Sequence, residues 1–194
     1  MPEKPIDQKV AEAVRFAAEA HGRQARKGTG TPYLIHPLGV ARLLDAAGCG
    51  VETVIAGILH DVIEDSRHHG EEEIRQAFGG RVAEIVVGAS EPNRGDSWKA
   101  RKQHTIGFIA SLTDLEILAV SCADKLDNMM SIRQDLEWAG DETVFWGRFN
   151  APRSDQGWYY TRLAQAFAAQ QNKSAALEFL APRFLSAVDS VFRN

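Results

Sequence analysis

The stretch AGILHDVIEDS, from Ala56 to Ser66, has four ionisable side chains within an otherwise apolar run. On a helix, which advances by about 100° per residue, the apolar residues of this region form one broad arc. Asp61 and Asp65 lie within that arc, and His60 and Glu64 share a neighbouring stripe. The pattern therefore predicts a helix whose buried face carries at least two carboxylates. The arc comprises Val51, Val54, Ile55, Ile58, Leu59 and Val62.

Buried carboxylates of this kind need compensation. An unpaired carboxylate in a protein core is costly, and it persists where a cation or a hydrogen-bond network compensates it. A single histidine or aspartate here would suggest a core residue with its hydrogen bonds satisfied. Four ionisable residues within six positions instead favour a site for a divalent metal ion. Because His60 and Asp61 point about 100° apart on a continuous helix, one ion would lie beside the helix, within reach of both.

The rest of the chain shows the same helical periodicity. The only candidate strand, EIVVG, fits a helix better. Pro37 suits the first turn of a helix, and Pro182 interrupts the last amphipathic segment, from Ser174 to Phe192. The 194 residues suit a single core. We therefore predict one all-α domain over residues 1–194, with about nine to ten helices.

Composition excludes several classes of partner. The net charge is −4, without the broad basic field that a nucleic-acid groove or an anionic membrane surface would attract. Cys49 and Cys122 lie in apolar contexts and suggest small buried thiols, not a disulfide framework. No signal segment or membrane-spanning stretch is visible. These features predict a reducing, cytoplasmic setting, and they say nothing about oligomeric state.

Two further segments supply candidate metal ligands. PYLIHP contributes His36, expected just before a helix start, and AVSCADKLDNMMSI contributes Asp124, which has apolar neighbours on both sides of its stripe. The alternatives are a capping or packing histidine and a salt bridge from Asp124 to a Lys or Arg at the core edge. With His60 and Asp61, these residues form a set suited to Mn²⁺, Fe²⁺ or Zn²⁺.

The combined pattern of motifs resembles the HD superfamily of metal phosphohydrolases. More narrowly, it resembles the hydrolase domain of RelA/SpoT enzymes and the stand-alone small alarmone hydrolases. The resemblance runs from about His21 to Ser131 and continues towards WYY, at residues 158–160. The motifs in order are His21, Gln24, RK at Arg26 and Lys27, TPYLIHP at Thr31 to Pro37, LHDVIED at Leu59 to Asp65, and ADKLDNM at Ala123 to Met129.

This resemblance implies an all-α HD-domain bundle and a Mn²⁺ ion. It also implies the activity, which is removal of pyrophosphate from the ribose 3′ position of (p)ppGpp or (p)ppApp, and it implies degradation without synthesis. Matched residue by residue, it gives His36, His60, Asp61 and Asp124 as metal ligands and Glu64 with Asp65 as the catalytic acidic pair. It also gives Arg26 and Lys27 as contacts to base and phosphates, and Asn128 and Ser131 as contacts to the sugar.

The chain departs from the family pattern at several positions. RKGTGTPY is one residue longer than the usual spacing in the long RelA/SpoT enzymes, so the base-facing loop is expected to differ. Asp127 stands where the common pattern has histidine, and Ser66 stands where it often has threonine. Both positions lie beside the predicted site.

Basic and aromatic residues outside the metal motifs allow two interpretations. Arg26 and Lys27 could form charge-assisted bonds to an anionic 3′-pyrophosphate, or belong to a solvated basic loop. SWKARK, at residues 97–102, faces either the phosphates or solvent. Tyr160 and its neighbour Tyr159 wall a base pocket or belong to the core.

The leading functional hypothesis is a Mn²⁺-dependent 3′-pyrophosphohydrolase of nucleotide alarmones, with another divalent metal as an option. The alternatives are a phosphohydrolase of another nucleotide such as NADPH, a non-catalytic alarmone sensor, and a structural helical domain. Intact residues at all four metal positions disfavour the sensor. The inward-facing carboxylates disfavour the structural domain.

Overall fold

Helices make up nearly all of the regular structure of the chain. A computed structural model describes residues 6–26, 30–66, 69–90 and 95–193. These ranges contain no β-strand, and the predicted all-α fold class is confirmed. A short 3-10 helix spans Gln171–Lys173. The α-helices are α1 (Ile6–His21), α2 (Ile35–Ala46), α3 (Val51–Leu59), α4 (Val62–Asp65), α5 (Glu71–Phe78), α6 (Gly80–Ala89), α7 (Trp98–Ser111), α8 (Leu115–Trp138), α9 (Glu142–Gly147), α10 (Arg153–Ala168) and α11 (Ala175–Phe192).

The 24-residue helix α8 is the centre of the arrangement. It packs against α2, α3, α6 and α11, while α1 lies on α3 and α4, and α10 lies between α7 and α11. Asp114 caps α8, its carboxylate accepting hydrogen bonds from the backbone N–H groups of Glu116 and Ile117 at 3.0 and 3.2 Å. Burial of the apolar faces of these helices forms one continuous core.

The helix predicted to carry the AGILHDVIEDS stretch is broken in the structure. Val51 to Val62 were expected on one continuous helix, but α3 ends at Leu59 and α4 begins at Val62. Asp61, between them, has φ −96° and ψ −4°, far from the helical ψ of about −42°. If α3 and the single turn of α4 are counted as one broken helix, the described residues contain ten α-helices, within the predicted number.

Pro182 does not interrupt the last helix, contrary to expectation. Helix α11 continues through it to Phe192. Leu180, Ala181 and Phe184, which flank the proline, are all fully buried, and α11 packs along α8. Packing on both sides of Pro182 therefore outweighs the backbone hydrogen bond that a proline cannot donate.

The two cysteines differ in how deeply they are buried. Cys49 and Cys122 are free, half-buried and fully buried respectively. Burial raises the pKa of the Cys49 thiol to about 11 and that of Cys122 further. None of the described helices combines the length and apolarity needed to cross a bilayer.

Candidate metal centre and adjoining cavities

His36 enters the site from the first turn of α2. It was expected just before a helix start and is instead the second residue of that helix, with a side chain that is 2% exposed. Its Nε2 atom lies 3.2 Å from Asp124 Oδ1 and 3.7 Å from Asp61 Oδ2. Its Nδ1 atom lies 2.7 Å from Asp127 Oδ2, so the two ring nitrogens face different carboxylates.

His60 and Asp61 reach the same point because the helix breaks between α3 and α4. His60 Nε2 lies 3.2 Å from Asp61 Oδ2, although adjacent residues on a continuous helix point about 100° apart. On a straight helix, an ion would have to lie beside the helix to be within reach of both side chains. The break instead turns both side chains towards the same point. Tyr33 donates a short hydrogen bond from its hydroxyl to Asp61 Oδ2.

Asp124 completes the cluster from the buried face of α8. Its Oδ1 atom lies 3.8 Å from His60 Nε2 and accepts a hydrogen bond from Asn128 Nδ2 at 2.6 Å. Its Oδ2 atom lies 2.5 Å from Lys125 Nζ. Asp124 therefore forms the salt bridge that was its alternative interpretation, with Lys125 as the partner. It also lies close to both histidines, as the metal interpretation predicted.

Four donor side chains therefore converge in the described part of the chain. Ligand atoms of His36, His60 and Asp124 all lie within 4.8 Å of one another, and Asp61 Oδ2 lies within 3.7 Å of both histidines. Each of these residues is buried or nearly so. Imidazole nitrogens and carboxylate oxygens in this number are a donor set for a divalent transition metal.

The hydrogen bonds of His60 fit a metal ligand. Its Nδ1 atom lies 2.8 Å from the backbone oxygen of Gly57, an arrangement in which Nδ1 carries the proton and donates it. Its Nε2 atom is buried and has no hydrogen-bond partner among the described residues. A buried acceptor nitrogen held in this way is typical of a metal-binding histidine, and the residues present therefore fit a divalent ion.

Charge within the cluster shifts all four pKa values. Burial alone would lower the pKa of His60, but the Asp61 and Asp124 carboxylates raise it to about 9. The pKa of His36 is likewise raised, against its burial, by hydrogen bonds to Asp124 and Asp127. Although burial opposes it, the neighbouring cations hold the carboxyl pKa values of Asp61 and Asp124 below their ordinary range. Without a metal, the neighbouring carboxylates therefore favour the protonated form of both imidazoles, against the effect of burial.

Two cavities lie beside this cluster. The first has a volume of about 350 Å³ and includes His36, Asp61 and Asp124 in its lining. The second has a volume of about 400 Å³. Tyr33 and Asn128, which contact Asp61 and Asp124, line both cavities, so the cavities meet beside the cluster.

The structure distributes the predicted catalytic and substrate residues between these cavities. Glu64 lines the first cavity, whereas the side chain of Asp65 and all of Lys27 lie outside the described residues. The second cavity is lined by Arg26, Asn128, Ser131 and Tyr160. Of the basic segment at residues 97–102, Lys102 lines the first cavity.

The two tyrosines of WYY are both buried and cavity-lining. Tyr159 is 3% exposed and lines the first cavity, and Tyr160 is 8% exposed and lines the second. Burial raises the pKa of Tyr160 to about 12. Each tyrosine is therefore part of the core and also part of a cavity wall, so the two interpretations are compatible.

Sequence reasoning assigned no role to three residues that contact the cluster. Tyr33 contacts Asp61, Lys125 contacts Asp124, and Asp127 contacts His36. Tyr33 lies within the quoted TPYLIHP motif, and Asp127 lies one helical turn after Asp124, so both positions were visible in sequence. The contact of Tyr33 depends on the packing of α2 against α3, and that of Asp127 depends on the packing of α8 against α2.

Residues 13–143, more than half of the chain, match the family described as the HD domain. The chain belongs to the HD domain family. A solved structure of another protein, lmo0812 from Listeria monocytogenes EGD-e, is similar to this HD-domain chain with 34% identity and a TM-score of 0.72. The match covers 82% of this chain and 99% of that one.

One relative and one structural neighbour carry descriptions of an activity. The guanosine-3′,5′-bis(diphosphate) 3′-pyrophosphohydrolase of Aquifex aeolicus (strain VF5) is 38% identical over 127 residues, which are 64% of this chain and 18% of that protein. The chain spans less than a fifth of the length of the curated relatives it matches. A metazoan orthologue of SpoT, described as hydrolysing ppGpp and acting in starvation responses, shares the fold. Its TM-score is 0.70 at 22% identity, over 99% of this chain and 97% of that one.

Proposed function

We propose that this HD-domain chain is a metal-dependent 3′-pyrophosphohydrolase of nucleotide alarmones, acting on (p)ppGpp, (p)ppApp or both. The observation that carries the proposal is the convergence of four donor side chains, with His60 Nε2 unbonded, where two cavities meet. The activity named for the Aquifex aeolicus relative agrees with it. In the reaction, water attacks the 3′-linked phosphorus and the 3′ O–P bond breaks, which releases pyrophosphate and leaves a nucleoside 5′-diphosphate, or a 5′-triphosphate where the substrate carries three 5′ phosphates.

We assign the metal to His36, His60, Asp61 and Asp124, with Mn²⁺ as the expected ion. Two imidazoles and two carboxylates suit Mn²⁺ or Fe²⁺ and leave positions for water and a phosphate oxygen. A bound divalent ion would supply acidification of water and polarisation of the phosphoryl group. The Nδ1 contacts of His36 and His60, to Asp127 and to the Gly57 carbonyl, orient both rings for this role.

Glu64 is the proposed proton acceptor of the reaction. It lines the same cavity as Asp61 and His36, and it is not needed as a ligand. A carboxylate that takes a proton from attacking water contributes typically about 10²- to 10⁴-fold in rate. Asp65 remains the predicted second member of this acidic pair.

The second cavity is proposed to hold the nucleoside. Its volume of about 400 Å³ suits such a group, and its wall combines a guanidinium, a hydroxyl and an aromatic ring from Arg26, Ser131 and Tyr160. Arg26 is held towards Asn128, whose Oδ1 accepts a hydrogen bond from Arg26 Nη2 at 2.7 Å. Lys27 is predicted to contact the same nucleotide.

Phosphate groups are proposed to lie in the first cavity. Lys102 and Lys125 line it, on the α7 and α8 sides. Ammonium groups in a partly enclosed cavity favour a polyanion such as a pyrophosphate. The proposed partner is accordingly a small nucleotide, and neither a nucleic acid nor a membrane; the proposed setting is the cytoplasm.

Product analysis tests the proposal directly. Metal-stripped chain supplied with Mn²⁺ is incubated in parallel with ppGpp, ppApp and NADPH, and products are resolved by ion-exchange chromatography. We expect pyrophosphate from at least one of the two alarmones, and the faster substrate names the preferred base. Repeating the assay with Fe²⁺, Zn²⁺ and Mg²⁺ ranks the metals.

The other outcomes separate the alternatives. Orthophosphate from NADPH alone would assign the chain to a different phosphohydrolase reaction. Binding of Mn²⁺ and alarmone without turnover would make it a sensor. Turnover that persists in the presence of a chelator would remove the metal from the proposal.

A further inference from the structure

Asp127 lies between the proposed metal centre and the proposed nucleoside cavity. Its Oδ2 atom lies 2.7 Å from His36 Nδ1 and 3.4 Å from Arg26 Nη1. The side chain is 15% exposed, so most of it is shielded from water. One carboxylate therefore contacts both a proposed metal ligand and a proposed substrate contact.

Helix α2 is built to admit this carboxylate. A Cβ atom added at Gly39 would collide with Asp127 Oδ1 and would lie 2.9 Å from its Cγ. Gly39 is one turn beyond His36 in α2, so the carboxylate packs directly against the backbone of the helix that carries the histidine. Asp127 is thus held by packing as well as by hydrogen bonds.

We propose that Asp127 is a positioning residue that fixes the ring of His36 for metal binding. By accepting the Nδ1–H bond, it directs the Nε2 lone pair of His36 towards Asp61 and Asp124. This inference rests on the proposed metal site. The related family pattern has histidine at this position, so the carboxylate is a feature of this chain.

The distances rank the two contacts of Asp127. The 2.7 Å contact to His36 is a short charge-assisted hydrogen bond, whereas the 3.4 Å contact to Arg26 is long. Arg26 also donates a hydrogen bond to Asn128 at 2.7 Å, a contact that does not involve Asp127. Loss of Asp127 should therefore weaken metal binding more than nucleotide binding.

The first measurement is independent of metal and substrate. In metal-free protein, the Nδ1–H proton of His36, assigned by its loss in His36→Ala, should give a protected downfield signal in the NMR spectrum. That signal should disappear in Asp127→Ala and weaken in Gly39→Ala, which displaces the carboxylate sterically. Gly107→Ala, a helical glycine with no atom near an added Cβ, is the matched control and should retain it.

The second measurement is Mn²⁺ affinity, followed by the signal of free Mn²⁺ in electron paramagnetic resonance. Asp127→Ala should weaken binding by about 10- to 100-fold, as expected for loss of an orienting partner. Asp127→Asn retains an acceptor oxygen and should lose less. At saturating Mn²⁺, KM for the alarmone should change by less than about 3-fold, because its contacts remain.

The outcomes distinguish this inference from the proposed function. An unchanged His36 ring signal in Asp127→Ala, or wild-type Mn²⁺ affinity in that variant, would overturn the role of Asp127. A raised KM at unchanged Mn²⁺ affinity would move its role to Arg26 and also overturn it. Wild-type protein that binds Mn²⁺ but hydrolyses no alarmone would refute the proposed function and leave the assignment of Asp127 standing.

Discussion

At the scale of single residues, the site depends on two neighbours that a straight helix would separate. His60 and Asp61 face one another at 3.2 Å because the backbone turns between α3 and α4. The Gly57 carbonyl holds one ring nitrogen of His60 and leaves the other available. Asp61 and Glu64 then line one cavity, although we propose different roles for them.

Substitution should separate those two roles. Asp61→Ala should lose Mn²⁺ binding and turnover together, since it removes a ligand. Glu64→Gln should retain Mn²⁺ affinity while kcat falls by about 10²- to 10⁴-fold. Titration with Mn²⁺ and steady-state kinetics measure both effects.

Exposed acids on the neighbouring helices α2 and α3 serve as controls for these variants. Asp45→Ala on α2 and Glu52→Gln on α3 should leave both quantities unchanged. Full activity in Asp61→Ala would contradict the metal assignment. Unchanged kcat in Glu64→Gln would remove Glu64 from the proposed mechanism.

Stability of the metal-free protein should depend on pH through His60. Its pKa is raised from 6.5 to about 9, so the folded state binds this proton more tightly than the unfolded state. The resulting stabilisation is complete below about pH 6.5 and is lost as the pH rises through about 9. Because a metal must displace the same proton, Mn²⁺ affinity should rise over that interval.

Thermal unfolding of chelator-treated protein between pH 6 and 10 measures this effect. The Tm should fall across the interval, and the fall should be smaller in His60→Asn, which lacks the titrating group. A Tm that is flat in the wild type, or a slope unchanged in His60→Asn, would contradict this origin.

At the scale of elements, α3 packs closely on α2 beside the candidate metal site. Gly57 faces α2, and a Cβ atom there would collide with Leu44 Cδ1 and lie 3.3 Å from Val40 Cγ1. Leu44 and Val40 are both fully buried and have no free space to move into. The same glycine supplies the carbonyl that orients His60.

Gly57→Ala should therefore destabilise the fold and disturb the site together. Overpacking of a closed interface costs about 1–3 kcal/mol, which exceeds the gain in helix propensity from glycine to alanine. Urea unfolding would measure the change against Gly107→Ala, which makes the same substitution in open space. Equal stabilities of the two variants would show that α2 and α3 can separate freely.

At the scale of the whole molecule, the proposed metal ligands join distant parts of the chain. They come from α2, from the junction of α3 and α4, and from the central helix α8. An ion that binds only when these elements are assembled stabilises the folded state by its binding free energy. The fold and the site are thus expected to be thermodynamically linked.

Added Mn²⁺ should raise the free energy of unfolding by about 2.7 kcal/mol at a concentration 100 times its Kd. Differential scanning calorimetry with and without chelator would measure the accompanying rise in Tm. His36→Ala should abolish the rise. An identical increase in that variant would indicate that Mn²⁺ binds elsewhere on the chain.

Sequence by itself determined the helical class and the chemical character of the site. Helical periodicity along nearly all of the chain requires apolar faces to be buried together, and this predicted the all-α fold class that the structure shows. Inward-facing acids at Asp61 and Asp124 indicated a compensating cation, because unpaired buried charge is too costly to persist. Both inferences depend on the spacing of apolar and charged residues along the chain, which a sequence records directly.

Only the tertiary structure decided how the ligand atoms meet and which residues support them. The break at Asp61 and the continuation of α11 through Pro182 both depend on packing between helices, which outweighs local propensity. Contacts of Tyr33 with Asp61 and of Asp127 with His36 join residues far apart in the chain. Spacing along one helix cannot predict such contacts, because they are set by how closely a second helix approaches.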